Sequence, residues 1–422
     1  MSQKRPVVAL VDAYTSAKYL PPEFSALGAD LVHVQSTTAL MPSMPAPDLS
    51  VYRANIVHED VETTVARLER YAPVCVIAGQ EPGVLLADVL SERLGLTTNG
   101  TALSEARRDK YRMIEVLRSA GLHCADQFTS GDAEELAGWA ERAGDYPVVV
   151  KPLTSAAGDG VYICRTAEEV RHAAKSVLAS ETIYGELNHT ALIQSYLQGI
   201  EYVVDMVSYG GHRYACGVWE YQKRLLPSGR NIYDRERLLA ADEAPAPELM
   251  AYVEKALDAL GIHYGPSHAE VIHTVDGPAL VEVGSRISGN MHPGFHDLCT
   301  GANQATLSAL AYVDPGKFLD EYAGRRYERL REGVCCTTST TLSGVVERID
   351  DTALEEISGL ESVYGVNTKI APGERIRPTV DLYSSTLRVF LAGETMDAIH
   401  HDYRRIEELK DRVYRIRDTE CR

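Results

Sequence analysis

HAEVIHTVDGPALVEVGSRISGN, residues 268–290, is the stretch on which the reading of this chain turns. Two runs of alternating apolar and polar residues flank Asp276-Gly277, a dipeptide that predicts a β-hairpin in that setting. With the turn centred on Asp276, Glu270 and Glu282 are equidistant from it and face each other across the ladder, on one side of the sheet. Like charges directly opposite cost stability unless something neutralises them. Magnesium does so, because it is a hard cation that takes one or two carboxylates together with phosphate oxygens. The competing reading is a solvent-facing pair, or a ladder slipped by one residue in which the carboxylates never meet. Arg286, four residues beyond Glu282, is placed where a guanidinium can pair with phosphate or carboxylate; alone, it reads equally as a surface charge.

Upstream, the apolar run of YPVVVKP (146–152) reads as a buried strand closed by Lys151. A lysine cannot be buried unpaired, so its ammonium must emerge at the strand end toward an anion. The loop that follows, from Ser155 through Gly158 to Gly160, has small residues whose backbone N–H groups can approach a triphosphate closely. No stretch matches the GxxxxGK[ST] phosphate loop, so a nucleotide has to be held another way. In ALIQSYLQGIEYVVDMV, extended backbone at Gln194, Ser195, Tyr196 and Leu197 can present N–H and C=O to an adenine edge, and Glu201 can accept from ribose hydroxyls. The plain alternative makes Tyr196 and Leu197 core and Glu201 an exposed strand residue.

The whole chain bounds these readings. Its 422 residues suggest two to four packed lobes. With 45% hydrophobic and 24% charged residues it has an ordinary globular composition, and no apolar run is long enough to cross a bilayer. The formal charge of −18 repels a phosphate backbone, so nucleic acid is not expected as a partner, and any ATP must be held by a local cluster of Lys and Arg. Eight scattered cysteines, with no CxxC pair, fit reduced thiols in a cytoplasm. The opening VVALVD reads as a first strand and not as a signal peptide, since Asp12 interrupts the apolar run early.

The first hundred residues alternate short apolar strands (VVALVD, ADLVHVQS, VCVIAG) with helical runs, the pattern of a small parallel α/β lobe. The first strand-to-helix turn, DAYTSAKYL, lacks glycine, which disfavours NAD and FAD. Glu81 lies just past a strand's carboxyl end, where such sheets place ligands. A helix is predicted from Ser104 to Gly121. The tail alternates strand-like segments (TTLSGVVERI, TLRVFLAG) and ends in a charged helix. The expected lobes are residues 1–105, 106–200, 201–334 and 335–422. Lys223, His268 and His296 are weaker candidates for substrate contacts, each also readable as an ordinary surface or core residue.

Taken in order, Lys110 in DK, Lys151 in VVVKP, the 155–160 loop, Gln194 to Leu197 with Glu201, then Glu270, Glu282 and Arg286 resemble the ATP-grasp superfamily over essentially the whole chain. Within it, EVGSRISGN and the C-terminal extension look like the L-amino acid ligases, the group of bacilysin and dapdiamide synthetases. The resemblance implies a mixed α/β and α+β multi-lobed fold and an ADP-forming acid–amino acid ligase. It implies that Lys110 and Lys151 contact the α- and β-phosphates and that the glycine loop closes over them. Gln194 to Leu197 would line the adenine pocket, Glu201 hold the ribose, Glu270 and Glu282 bridge two magnesium ions, and Arg286 bind the transferring phosphoryl group. Other ATP-grasp reactions, such as a carboxylase or a purine-pathway ligase, and a silent ATP-binding protein remain alternatives. Two positions depart from relatives: Gly284 stands where D-alanine–D-alanine ligases carry an Asn, and Asn290 where the bacilysin-type enzyme has a tryptophan. The second departure implies room for a larger or more polar acid. Small carboxylic acids and amino acids are the implied partners, and a homodimer is left open.

Overall fold

The computed structural model describes residues 5–40, 44–155, 158–182, 184–225, 231–380 and 384–417. The chain divides into two compact units: 1–218 with 241–293 and 302–327, and 219–240 with 294–301 and 328–422.

The first unit opens with a parallel sheet in the order Asn55–Val57, Asp30–Gln35, Val7–Val11, Cys75–Ala78. Strands Val7–Val11 and Cys75–Ala78 are apolar at every position because both faces are covered. Val7, Ala9 and Val11 pack toward Val65 and Leu68 of helix Val61–Glu69 and toward Val84 and Leu90 of helix Val84–Arg93. Val8 and Leu10 pack toward Leu20 and Phe24 of helix Leu20–Ala26 and Ala305 and Ala309 of helix Gln304–Val313. From Val7–Val11 the chain adds Asp30–Gln35 and Asn55–Val57 on one side and then Cys75–Ala78 on the other, a reversal that opens a crevice at the carboxyl end of Val7–Val11. Gly79 lets the chain turn there: a Cβ would stand 2.7 Å from the Ala13 Cα and the Asp12 carbonyl oxygen.

Two further layers complete this unit. An antiparallel sheet, in the order Gln127–Ser130, Ala191–Ser195, Val148–Lys151, Tyr162–Cys164, is covered by helices Ala133–Ala143 and Ala167–Leu178 through Leu136, Ala140, Val170 and Val177. Beyond it, strands Gly277–Gly284, Gly265–Thr274 and Gly199–Tyr209 lie side by side. Tyr252 of helix Ala246–Ala259 ties that sheet down: its hydroxyl donates to the His123 carbonyl at 2.7 Å and accepts from Leu280 N–H at 2.9 Å.

The helix expected from Ser104 begins only at Lys110. Asp109 caps it by accepting from Arg112 N–H, while the turn before it lets Arg107 reach Asp88 at 2.9 Å. In the second unit, strands Asn231–Leu238, Glu332–Thr337, Leu387–Gly393 and Val363–Thr368 pair antiparallel in that order. Val334, Val389 and Leu391 bury against Ile399, Ile406 and Leu409 of helix Met396–Leu409. The charged helix does not close the tail, contrary to expectation. Strand Tyr414–Arg417 follows it and pairs with Gly344–Ile349, because Tyr414 is buried in the same core. Among the described residues no helix is long and apolar enough to cross a membrane.

Candidate active site

The hairpin of residues 265–284 brings Glu270 directly opposite Glu282. The register arises differently from the expected one. The two-residue tip is Val275–Asp276, with Thr274 opposite Gly277, and this tip alone would set Glu282 against Ala269, on the wrong face. The ladder slips between Glu270 and Val271: Leu280 faces Val271 and Glu282 faces Glu270, so Val281 is one extra residue. This β-bulge returns the second carboxylate to the face of the first.

Cations gather against the pair. Lys110, first residue of its helix, sets its Nζ 2.5 Å from a Glu282 carboxylate oxygen and donates to the Ser155 carbonyl at 2.7 Å. Lys151 ends its strand with only 5% of its surface exposed. Burial, reinforced by Lys110, pushes its ammonium down to about 8, against the pull of Glu282, Glu270 and Glu201. Burial alone would raise the Glu282 pKa, but Lys110, Lys151 and Arg286 together hold it below the usual carboxylate value. Arg286 keeps its charge for the reciprocal reason: burial works against it, and Glu81, Tyr184, Glu282 and Glu270 together outweigh burial.

Glu81 reaches this place from the crevice of the parallel sheet. One of its oxygens lies 3.4 Å from Arg286 Nε and the other 4.0 Å from Arg108 Nε. Arg286 also donates to the Ile287 carbonyl at 2.9 Å. Two residues before Glu270 on the same strand, His268 holds Asp205 of the neighbouring strand at 2.7 Å through Nδ1, with Nε2 3.8 Å from Glu270. Burial lowers the His268 pKa, but Asp205 and Glu270 carry it up to about 9. Glu81, Arg107, Arg108, Lys110, Ser155, Glu282 and Arg286 line one cleft, with Gly284 and Tyr184 in its wall.

Residues 144–293 match the family model of the ATP-grasp domain. Dapdiamide A synthase of Enterobacter agglomerans is 33% identical over 421 residues, 98% of this chain and 96% of that protein. The chain is an ATP-grasp ligase. Its fold is that of an L-amino acid ligase from Bacillus licheniformis, with a TM-score of 0.77 at 20% identity over 99% of this chain and 100% of the other. The biotin carboxylase domain of a Hydrogenobacter thermophilus 2-oxoglutarate carboxylase, solved with magnesium ADP and bicarbonate, gives a TM-score of 0.66 at 17% identity, covering 97% of this chain and 90% of that one.

Members of this family bind ATP or ADP with magnesium, and the ligase has residues that suit the ion. Among the described residues no third His, Cys, Asp or Glu joins Glu270 and Glu282 to make a closed metal cage. Two carboxylates that leave the other positions to phosphate oxygens and water are the donor set magnesium takes beside a nucleotide.

The other expected residues of the ligase lie as follows. Gln194 is buried and its amide donates to Gln127 at 2.9 Å, so its side chain serves the sheet. Ser195 ends its strand, with its hydroxyl accepting from Asp126 N–H at 3.0 Å, and residues 196–198 run outside regular structure with Tyr196 exposed. Glu201 is buried, not exposed, and its charge is felt at Lys151. In the glycine loop, Ser155 donates to Asp159 at 2.7 Å, and Gly158 and Gly160 have φ of +77° and +65°, which favour glycine. The loop's Ala156 and Ala157 lie outside the described residues. Asn290 donates through its backbone to Ser288 Oγ at 3.3 Å. Lys223 and His296 belong to the second unit, Lys223 4.9 Å from the Tyr233 ring and His296 5.1 Å from that of Trp219. Sequence reasoning missed Arg108, Tyr184 and Asp205. Arg108 sits two residues before Lys110, and that proximity was the one available signal.

Proposed function

We propose that the protein uses ATP to activate a carboxylic acid as an acyl phosphate, then joins it to the amine of an amino acid, releasing ADP and phosphate. The observation that carries this reading is the opposed pair Glu270 and Glu282 with the Lys110 ammonium against it. Near-full-length similarity to dapdiamide A synthase supports the amide-forming branch over others on the same fold.

Lys110 and Lys151 hold the α- and β-phosphates, Lys110 turning from Glu282 to the nucleotide. Gln194 to Leu197 border the adenine, with backbone and not the Gln194 side chain as the contact, and Glu201 holds the ribose. Glu270 and Glu282 hold two magnesium ions, which supply neutralising charge to the phosphates when bound. A carboxylate oxygen of the acid attacks the γ-phosphorus, and the bond to the ADP oxygen breaks. Arg286 stabilises the charge spread over the transferring group; positioning and electrostatics carry most of such a step. The amine, its ammonium having lost a proton, attacks the acyl carbon, and phosphate leaves with the bonding electrons. The 155–160 loop shields the acyl phosphate from water. Small-peptide or antibiotic-type biosynthesis is the setting this reaction suits.

The test is ADP release with ATP, magnesium and a matrix of acids and amino acids. ADP that depends on both an acid and an amino acid, with an amide product by mass, is the expected result. ADP release that follows bicarbonate instead would move the enzyme to the carboxylase branch, and none with any pair would overturn the reading.

A further inference from the structure

The consecutive charges Arg107, Arg108, Asp109 and Lys110 have separable places in the fold. Arg107 is fully buried and held through both terminal nitrogens: it meets Asp88 at 2.9 Å and donates to the Leu260 carbonyl at 3.0 Å and to the Gly100 carbonyl, with only its Nε lacking a partner among the described residues. Asp109 caps a helix and Lys110 meets Glu282. Arg108 remains. Its side chain is 10% exposed, and its Nε–H is buried with no hydrogen-bond partner among the described residues. The nearest carboxylate, Glu81, is 4.0 Å away, beyond hydrogen-bond length, and is shared with Arg286. The Tyr184 ring lies 5.8 Å from the guanidinium. A buried guanidinium left in that condition is costly unless an anion arrives.

We propose that Arg108 binds a substrate carboxylate that survives the reaction, and that with Glu81 it forms the subsite for a zwitterionic amino acid. The proposal rests on the ligase reading, in which Lys110, Lys151 and Arg286 serve the nucleotide; Arg107 is held by Asp88, and among the described residues of the cleft Arg108 is the cation left over. A guanidinium fork matches a carboxylate. Glu81, within 4.0 Å of that guanidinium, suits an ammonium. It also lies 3.4 Å from Arg286, so an ammonium held there is beside the group being transferred, where the amine must attack. A dicarboxylic acid donor is the other source of such a carboxylate, and the arms below separate the two.

In wild-type enzyme, each common L-amino acid is compared with its carboxamide as acceptor, and dicarboxylic acids with their half-amides as donors. The same comparisons are repeated in Arg108→Gln and Arg108→Lys. The expected result is a KM roughly 10- to 100-fold higher for the carboxamide than for the amino acid in wild type, from loss of one charge-assisted contact. Arg108→Gln should raise the amino acid KM by a similar factor and leave the KM of the carboxamide and of ATP unchanged, with Arg108→Lys between. A penalty that follows the donor's second carboxylate assigns the Arg108 contact to the donor and overturns the zwitterion subsite. Equal loss for acid and amide, or a raised KM for ATP alone, overturns the assignment altogether. If Arg108→Gln does not fold, the wild-type comparison and Arg108→Lys decide. Should no pair yield ADP, the ligase reading fails separately, and calorimetric titration of amino acids against their carboxamides into wild type and Arg108→Gln still reads the carboxylate contact.

Discussion

Gly284→Ala probes the spacing of the cleft with one methyl group. A Cβ at Gly284 would stand 3.1 Å from a Glu81 carboxylate oxygen, 3.2 Å from Arg286 Cζ and 3.3 Å from Arg286 Cγ. The glycine has no positive φ, so an alanine is not strained in its backbone. All three atoms belong to side chains, which must retreat by a few tenths of an ångström to reach ordinary contact. Overpacking a rigid core costs about 1–3 kcal/mol, and movable side-chain ends should keep the cost near the bottom of that range. A misplacement of about 1 Å in a reacting constellation costs about 10²-fold, so a third of that shift predicts a loss of roughly four- to tenfold in kcat/KM. Initial rates from coupled ADP detection, with thermal unfolding alongside, measure both. Unchanged kcat/KM would mean that the distance between Glu81 and Arg286 is not used. A stability loss of several kcal/mol would mean that the strand, and not the side chains, had given way.

Glu282→Gln should cut ADP release by on the order of 10²-fold or more while circular dichroism stays native, since even outer-shell metal partners are worth 10–100-fold; full activity would remove the metal assignment. Arg107→Met leaves the Asp88 carboxylate buried without its cation and should cost about 3–5 kcal/mol in denaturant unfolding, a loss below about 1 kcal/mol refuting the role given to that pair. For the unliganded protein, the depressed Lys151 pKa of about 8 has a signed consequence. Below that pH the ammonium is already charged; above it, ATP must bind together with a proton, so KM for ATP should rise by up to about tenfold per pH unit. Lys151→Met should flatten this rise, and a profile unchanged by that variant would detach it from Lys151.

The hairpin and its two carboxylates were legible because alternation of period two survives in sequence wherever one strand face is occupied. The bulge was not. Val281 is a β-branched residue among others, and nothing local distinguishes a paired valine from an extra one. Glu81 could be anticipated from the strand it follows, since carboxyl ends of parallel strands are where side chains meet ligands. Its two arginine neighbours could not, because Arg108 and Arg286 approach it from distant parts of the chain. Arg107 and Arg108 look identical on paper, and only tertiary context separates the one that binds Asp88 from the one that stands 4.0 Å from Glu81. The tail was misread at its end because YRIR is too short for its alternation to outweigh the charged helix before it.

The bulge couples two lengths that look unrelated. A two-residue tip and one surplus valine together set the odd-or-even count that keeps both acids on one side of the ribbon. Adding one residue at the tip would therefore have to be matched by losing Val281. Indels in this loop should come in compensating pairs, although the fully solvated tip itself touches nothing that reacts.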